Sequence, residues 1–331
     1  MPLPNYADYP GNLAYEQPFI MKQLQLYGFV IEGNISDMQK MVDARLNFMS
    51  DRPNTRYIVA SDKIVFAFTQ SPFLQSLVPK YKDMGRFTEI TFCSYVFVAE
   101  CTLKSGEWWA QRILFFIPYI LVNTPLTLIG GREDYGFPKT MGDFIIPENP
   151  EVVDYMTVST MGMQKFSEDA VAGIHEFITI EKDAKTPGED QDVEKATKTK
   201  KIFNDIGEVF SALRKVLSPS ETGFHIGLKF LVNEAEILWK KQMSMVFMRQ
   251  FRDIGDPSKA CYQAIIESDG YPANMQNARI LHDNYTVIIN HMDTLPIDTD
   301  LGLSSANKVT YAFSLMFDAN FDDGKEVYRA V

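Results

Sequence analysis

Cysteine is scarce in this chain. Cys93, Cys101 and Cys261 are widely spaced in 331 residues and form no Cys-x-x-Cys pair. An odd, dispersed set builds neither a disulfide framework nor a zinc knuckle, and it predicts buried thiols in a reducing cytosol. The four histidines, His175, His225, His282 and His291, show no HxH or HExxH spacing, so no motif points to a metal. Long apolar runs are missing as well. The most apolar stretch, "RILFFIPYILV" from Arg112 to Val122, falls far short of the roughly 20 residues that cross a bilayer. The segment "MPLPNYADYPGNLAYEQPF" has neither the basic start nor the apolar run of a signal peptide. Basic residues are outnumbered, 32 Lys and Arg against 43 Asp and Glu, for a formal charge of −11. With no local basic stripe, that balance argues against nucleic-acid binding. The glycines of "IGGRED" do not complete a dinucleotide fingerprint, and neither a P-loop nor a nucleophile elbow is present. A cytoplasmic protein that binds neither membrane nor nucleic acid is expected.

What the sequence does contain is mostly β pattern. "LQLYGFVIEG" is β-branched and aromatic and reads as a strand. "SDMQKMVDARLNFM" has helical apolar spacing behind Ser36 as N-cap. "RYIVASDKIVFAF" reads as a hairpin broken at Ser61-Asp62, and "RFTEITFCSYVFVAECTL" as one long strand or two. Arg112–Val122 is apolar on both faces and predicts a central, doubly covered strand. "NTPLTLIGGRED" predicts a short helix capped by Asn123 or Thr124, with Pro125 in its first turn. Further strands are expected over Val152–Thr160, Gly173–Ile180, Met245–Phe251, Cys261–Ser268, Asn284–Asn290 and Lys308–Phe317. Residues 182–243 break the pattern with a mixed-charge stretch followed by two amphipathic segments, which predicts an exposed loop and a helical insertion. Nothing divides residues 1–331 into independent domains.

One residue stands out chemically. Lys139 in "GGREDYGFPKTMGDF" follows Phe137-Pro138 directly, just downstream of that apolar stretch. A lysine attacks a carbonyl only as the free amine, so a nucleophilic lysine must lose its proton several units below about 10.4. Burial among Phe137, Pro138 and Met141 would do this, and Pro138 restricts the backbone that aims the side chain. The bland alternative is a lysine that lays its stem on apolar surface and keeps its head in water.

Here the sequence resembles the acetoacetate decarboxylase family. The likeness rests on Gly131-Arg132-Glu133, the short aromatic turn "DYGFP", and Lys139. It is good over Phe87–Thr160 and looser over Met245–Leu303, and the insertion lies outside it. The resemblance implies an α+β fold of antiparallel sheets curled into a cone or barrel, with Lys139 forming a Schiff base to a β-keto acid. Counting at the family's spacing places its active-site glutamate at Glu100. Arg132, Tyr135, Phe137, Thr140 and Met141 are then expected to bind substrate, with Arg132 and Glu133 also expected to hold the loop as an ion pair. No metal or organic cofactor is implied, because the lysine itself supplies the electron sink. A small keto acid is the expected partner, and the assembly is expected to be a homo-oligomer. Two positions depart from the family: its second lysine is Thr140 here, and its first-strand arginine has no match beyond Lys22. An aldolase or dehydratase acting on a 2-oxo acid through the same lysine is the second reading, and a non-catalytic ligand-binding or accessory protein the third.

Overall fold

A computed structural model of the chain describes residues 5–7, 15–81, 83–184, 223–226 and 242–330. Strands dominate it. In chain order they are β1 (Phe19–Glu32), β2 (Thr55–Ser76), β3 (Phe87–Lys104), β4 (Glu107–Val122), β5 (Lys139–Met141), β6 (Asp143–Ile145), β7 (Tyr155–Gly162), β8 (Gly173–Lys182), β9 (His225–Ile226), β10 (Met243–Arg252), β11 (Ala260–Leu281), β12 (Tyr285–Ile289), β13 (Ala306–Lys308), β14 (Tyr311–Phe321) and β15 (Lys325–Arg329). The α-helices among the described residues are α1 (Ile35–Leu46), α2 (Pro125–Gly130) and α3 (Ile297–Leu301). None of these helices is long and apolar enough to cross a membrane.

Seven strands close into a ring. β4, β3, β2, β1, β14, β11 and β10 pair in that order, each antiparallel to the next. β10 then returns to β4 through a short parallel contact, Met245 with Phe115 and Val246 with Phe116. β5 and β9 also run parallel to β4. The expectation of purely antiparallel sheets therefore needs correcting at these junctions. β5 is brought there by a connection through α2, which lets it lie along β4 in the same sense. A second, antiparallel sheet has the order β13-β12-β8-β7-β6.

The two-residue period of the strands separates two cores. Outward residues of the ring, among them Phe29, Phe66, Phe68, Phe92 and Leu114, pack with Met38 and Leu46 of α1 and with Val158, Phe177 and Val287 of the second sheet. Inward residues such as Leu24, Val65, Phe97, Phe313 and Leu315 fill the ring's interior. β4 shows why its sequence is apolar on both faces. Ser94 pairs with Tyr119 and Val96 with Phe116, so Ile117 and Pro118 bulge opposite Tyr95. Proline suits a bulge, having no N–H to give the ladder. The bulge switches the alternation, so that Ile113, Ile117, Ile120 and Val122 all join interior clusters.

Two local readings change. Residues 56–68 form no hairpin: both halves of β2 pair with β3, and the irregularity between Val59 and Ile64 is absorbed within one strand. The cap of α1 is Asn34, whose extended backbone lets Oδ1 accept from the N–H groups of Ser36 and Asp37. Most of the segment expected as a helical insertion lies outside the described residues. Within it, Phe224 is buried in the interior cluster and His225–Ile226 pairs with Trp109–Ala110.

Candidate active site

Lys139 is carried into the ring by a sequence of local constraints. α2 ends at Gly130 and a single turn of π-helix, Gly131–Tyr135, follows. Gly136 closes the turn with φ of 78°, and a Cβ there would lie 2.6 Å from the Arg249 backbone, so the position needs glycine on both counts. The Phe137 N–H donates to the Gly131 carbonyl at 3.0 Å and the Lys139 N–H to the Phe137 carbonyl at 2.7 Å. β5 then aligns Lys139 with Ile120, which pairs with Cys93, which pairs with Ala67. These are inward positions, so the lysine side chain enters the interior.

There Lys139 Nζ meets Glu89 Oε1 at 3.1 Å, and the two side chains are 12% and 6% exposed. The pair sits in a cavity of about 200 Å³. Among the described residues lining it, Lys139 and Glu89 are the sole charges. Thr69, Thr91 and Thr127 add hydroxyls, and the remaining wall is mainly aliphatic and aromatic. Burial pushes the Cys93 thiol up to about 12 against the pull of the Lys139 amine, and it holds the Tyr95 phenol well above its ordinary value. Phe137 stands edge-on to Phe247 at 4.3 Å and places its ring 5.6 Å from Nζ. The chemistry available is that of an amine and a carboxylate facing each other in a largely apolar sleeve.

Gly131 forms part of the floor under the lysine. A Cβ there would come within 2.7 Å of Lys139 Cδ and 2.8 Å of Cε. The stem has to tilt to admit even one methyl group, which carries Nζ off Glu89. Under the Schiff-base reading of Lys139 proposed below, Gly131→Ala should fold normally yet slow turnover by about 10²-fold, since displacement of a reacting group by about 1 Å costs that much. Steady-state kinetics beside a thermal melt checks it.

No protein-family model matches the chain, and no curated protein matches it by sequence. Solved structures do. An acetoacetate decarboxylase from Legionella pneumophila aligns over 99% of this chain and 93% of its own, with a TM-score of 0.52 and 12% identity. The chain has the acetoacetate decarboxylase-like fold. Another acetoacetate decarboxylase aligns over 96% and 93% of the two chains at 10% identity and a TM-score of 0.49. An acetoacetate decarboxylase-like enzyme from Sphingomonas wittichii aligns over 94% and 92% at 7% identity and 0.49.

Within this acetoacetate decarboxylase-like fold, the expected site residues divide. Tyr135 and Phe137 line the cavity, stacked on each other at 4.8 Å. Arg132 is exposed and donates from Nη1 to the Lys139 carbonyl at 3.3 Å, so it braces the strand from outside. Its expected partner Glu133 instead accepts from the Tyr6 hydroxyl. Thr140 and Met141 are not among the lining residues. Thr140 alternates with Lys139 on β5, which turns it to the opposite face, and Met141 is 40% exposed.

Glu100 is not brought to Lys139. It shares β3 with Glu89, but an odd separation along a strand turns the two carboxylates to opposite faces. At about 3.3 Å per residue they also stand roughly 35 Å apart along the strand. Glu100 instead accepts from Arg112 Nε at 2.6 Å, and Arg112 Nη2 donates to Glu267 at 2.6 Å. Burial opposes the Arg112 charge, but Glu100 and Glu267 together raise the arginine above its ordinary value. Glu100→Gln should therefore leave Arg112 with one carboxylate partner instead of two and lower the melting temperature, while, under the Schiff-base reading proposed below, the rate per folded molecule stays at the wild-type value.

Glu89, which the sequence reading did not single out, is the carboxylate that lies beside Lys139. Its signal lay in the alternation "TEITFC", where Glu89, Thr91 and Cys93 share one face and Ile90 and Phe92 the other. A second carboxylate, Asp134, sits in the π-turn beside the site. Burial pushes it up to about 7 against the pull of Arg249. An unfolded aspartate releases its proton near 3.8, so over the interval between, the folded state binds the extra proton. This contribution to stability is complete below the unfolded value and is lost as pH rises through about 7. Asp134→Asn removes the titration. Its melting temperature should fall less than that of wild type between about pH 4 and about pH 8.

Proposed function

We propose that this protein is a lyase working through a Schiff base on Lys139, with Glu89 moving the protons. The observation that carries the reading is a nearly buried amine 3.1 Å from a nearly buried carboxylate, in a cavity whose other described walls carry no charge. Glu89 accepts a proton from Lys139, and the free amine adds to the substrate carbonyl. Glu89 returns that proton to the departing hydroxyl, water leaves, and an iminium cation remains opposite the Glu89 carboxylate. The iminium draws in the electron pair of a neighbouring carbon–carbon bond, giving a neutral enamine. Protonation at carbon and hydrolysis then release the product and restore the amine.

The bond broken separates two readings. Decarboxylation of a β-keto acid is supported by the fold shared with an acetoacetate decarboxylase, and it draws its final proton from solvent. Aldol cleavage or dehydration of an uncharged carbonyl compound through the same lysine, in place of the 2-oxo acid expected from the sequence, is favoured by the charges. The family's second lysine is Thr140, turned away, and no arginine is among the described residues lining the cavity to hold a carboxylate. In an aldol cleavage Glu89 takes the proton of the β-hydroxyl and hands it to the enamine carbon, so no outside proton is consumed.

Both readings require reversible carbonyl exchange. A ketone incubated with the protein in ¹⁸O-water should acquire the label far faster than without it, because each cycle of iminium formation and hydrolysis replaces the oxygen. Exchange at the uncatalysed rate over a broad panel of ketones, aldehydes and keto acids would remove the proposal. Assays of carbon dioxide release and of aldol cleavage then separate its two forms.

A further inference from the structure

The charges and shape of the cavity constrain what Lys139 can take. Before reaction, Lys139 and Glu89 sum to zero. An iminium formed from an uncharged carbonyl compound keeps that sum, since a cation still faces Glu89. An iminium formed from a keto acid adds one negative charge, and no described lining residue is left to balance it. An unpaired charge in an apolar site is costly, and here it would also meet the Glu89 carboxylate as a like charge. The wall is apolar enough to punish it, as the suppressed ionisation of Cys93 and Tyr95 indicates.

The shape adds a second constraint. Inward residues of β3 from Glu89 to Tyr95 follow the cavity for roughly 20 Å. The apolar wall around the pair includes Leu26, Val65, Phe115, Phe313 and Leu315. An apolar cavity of about 150 Å³ holds a benzene ring. The about 200 Å³ here takes a ring-sized apolar group together with a reacting carbonyl. A three- or four-carbon keto acid would leave much of this surface without a partner, forfeiting the burial that favours binding.

We infer that the compound condensing with Lys139 is an uncharged ketone or aldehyde bearing an apolar body about the size of a phenyl ring or a five-carbon chain. The inference rests on the Schiff-base reading of Lys139, and it deepens the aldol-type form of that reading. It makes the cavity selective by charge balance: the protein accepts a carbonyl compound that leaves Glu89 as the sole anion.

The test uses the full chain, cyanoborohydride, and a panel of 4-phenylbutan-2-one, heptan-2-one, acetoacetate and pyruvate. Reductive labelling of Lys139 is followed by peptide mass spectrometry against concentration, and each compound is normalised to its labelling of free Nα-acetyl-lysine. The two uncharged ketones should half-saturate Lys139 at concentrations lower than the acids by on the order of tenfold or more. In Glu89→Gln the site loses its own anion, so the gap between acids and ketones should shrink by a similar factor. Acids that label Lys139 as well as the ketones, in wild type, would overturn the inference and leave the Schiff-base reading standing. So would a gap unchanged in a folded Glu89→Gln variant. Labelling of other lysines only, by every compound, would overturn both.

Discussion

Lys139→Arg should abolish carbonyl exchange and turnover while leaving the protein folded. Arginine keeps a positive charge beside Glu89, so the buried carboxylate retains a partner. A guanidinium stays protonated and forms no Schiff base, so the loss reads chemistry and not electrostatics. The contrast with Lys139→Ala makes this specific. Alanine strands Glu89 as an unpaired buried charge, and breaking a buried pair in that way costs about 3–5 kcal/mol. Lys139→Ala should therefore lose both activity and stability, and Lys139→Arg activity alone. Thermal melts beside the ¹⁸O-exchange assay check the pair. Exchange surviving in Lys139→Arg would move the nucleophile elsewhere.

The second large effect is expected at Glu89. Glu89→Gln preserves shape and one hydrogen-bond acceptor but removes the proton carrier. Turnover should fall by about 10²–10⁴-fold, the usual loss when a general acid–base is removed. The trapped adduct on Lys139 should still form, given time, because the amine remains. Glu100→Gln provides the internal control: it shares the strand and the residue type, but its carboxylate belongs to Arg112 on the outer face. Loss of rate at Glu100 with retention at Glu89 would reverse the assignment of the two carboxylates.

The reason Glu100 and not Glu89 was legible in the sequence is physical. Spacing along a chain locates a residue on a strand, but the face it presents depends on parity and bulges, and its partner depends on which strands meet. β4 bulges opposite β3 near Ser94–Val96 and Glu100–Cys101, and the strand that brings Lys139 runs parallel to β4 after a helical excursion. None of this is local information. The lysine itself was singled out by local sequence, the Phe137-Pro138 pair directly before it and the Gly131-Arg132-Glu133 triplet that carries the family likeness. Likewise the strands of the ring announced themselves by alternation and β-branched content. The single strand at residues 55–76 read as a hairpin because Ser61-Asp62 has turn chemistry, and a turn and a bulge draw on the same residues. Tyr135 and Phe137 were expected in the site and lie there. Arg132, Thr140 and Met141 sit as near in sequence but do not line the cavity: one step along β5 reverses Thr140, Met141 stands exposed at the strand's end, and Arg132 points out of the π-turn.

The central claim is that Lys139 is the nucleophile. The direct measurement is reductive trapping: incubate the protein with a panel of ketones and keto acids, add borohydride, digest, and locate the added mass. The account predicts a stoichiometric adduct on the peptide containing Lys139, absent without carbonyl compound and absent in Lys139→Arg. An adduct confined to another lysine, or none from any member of the panel, would contradict it.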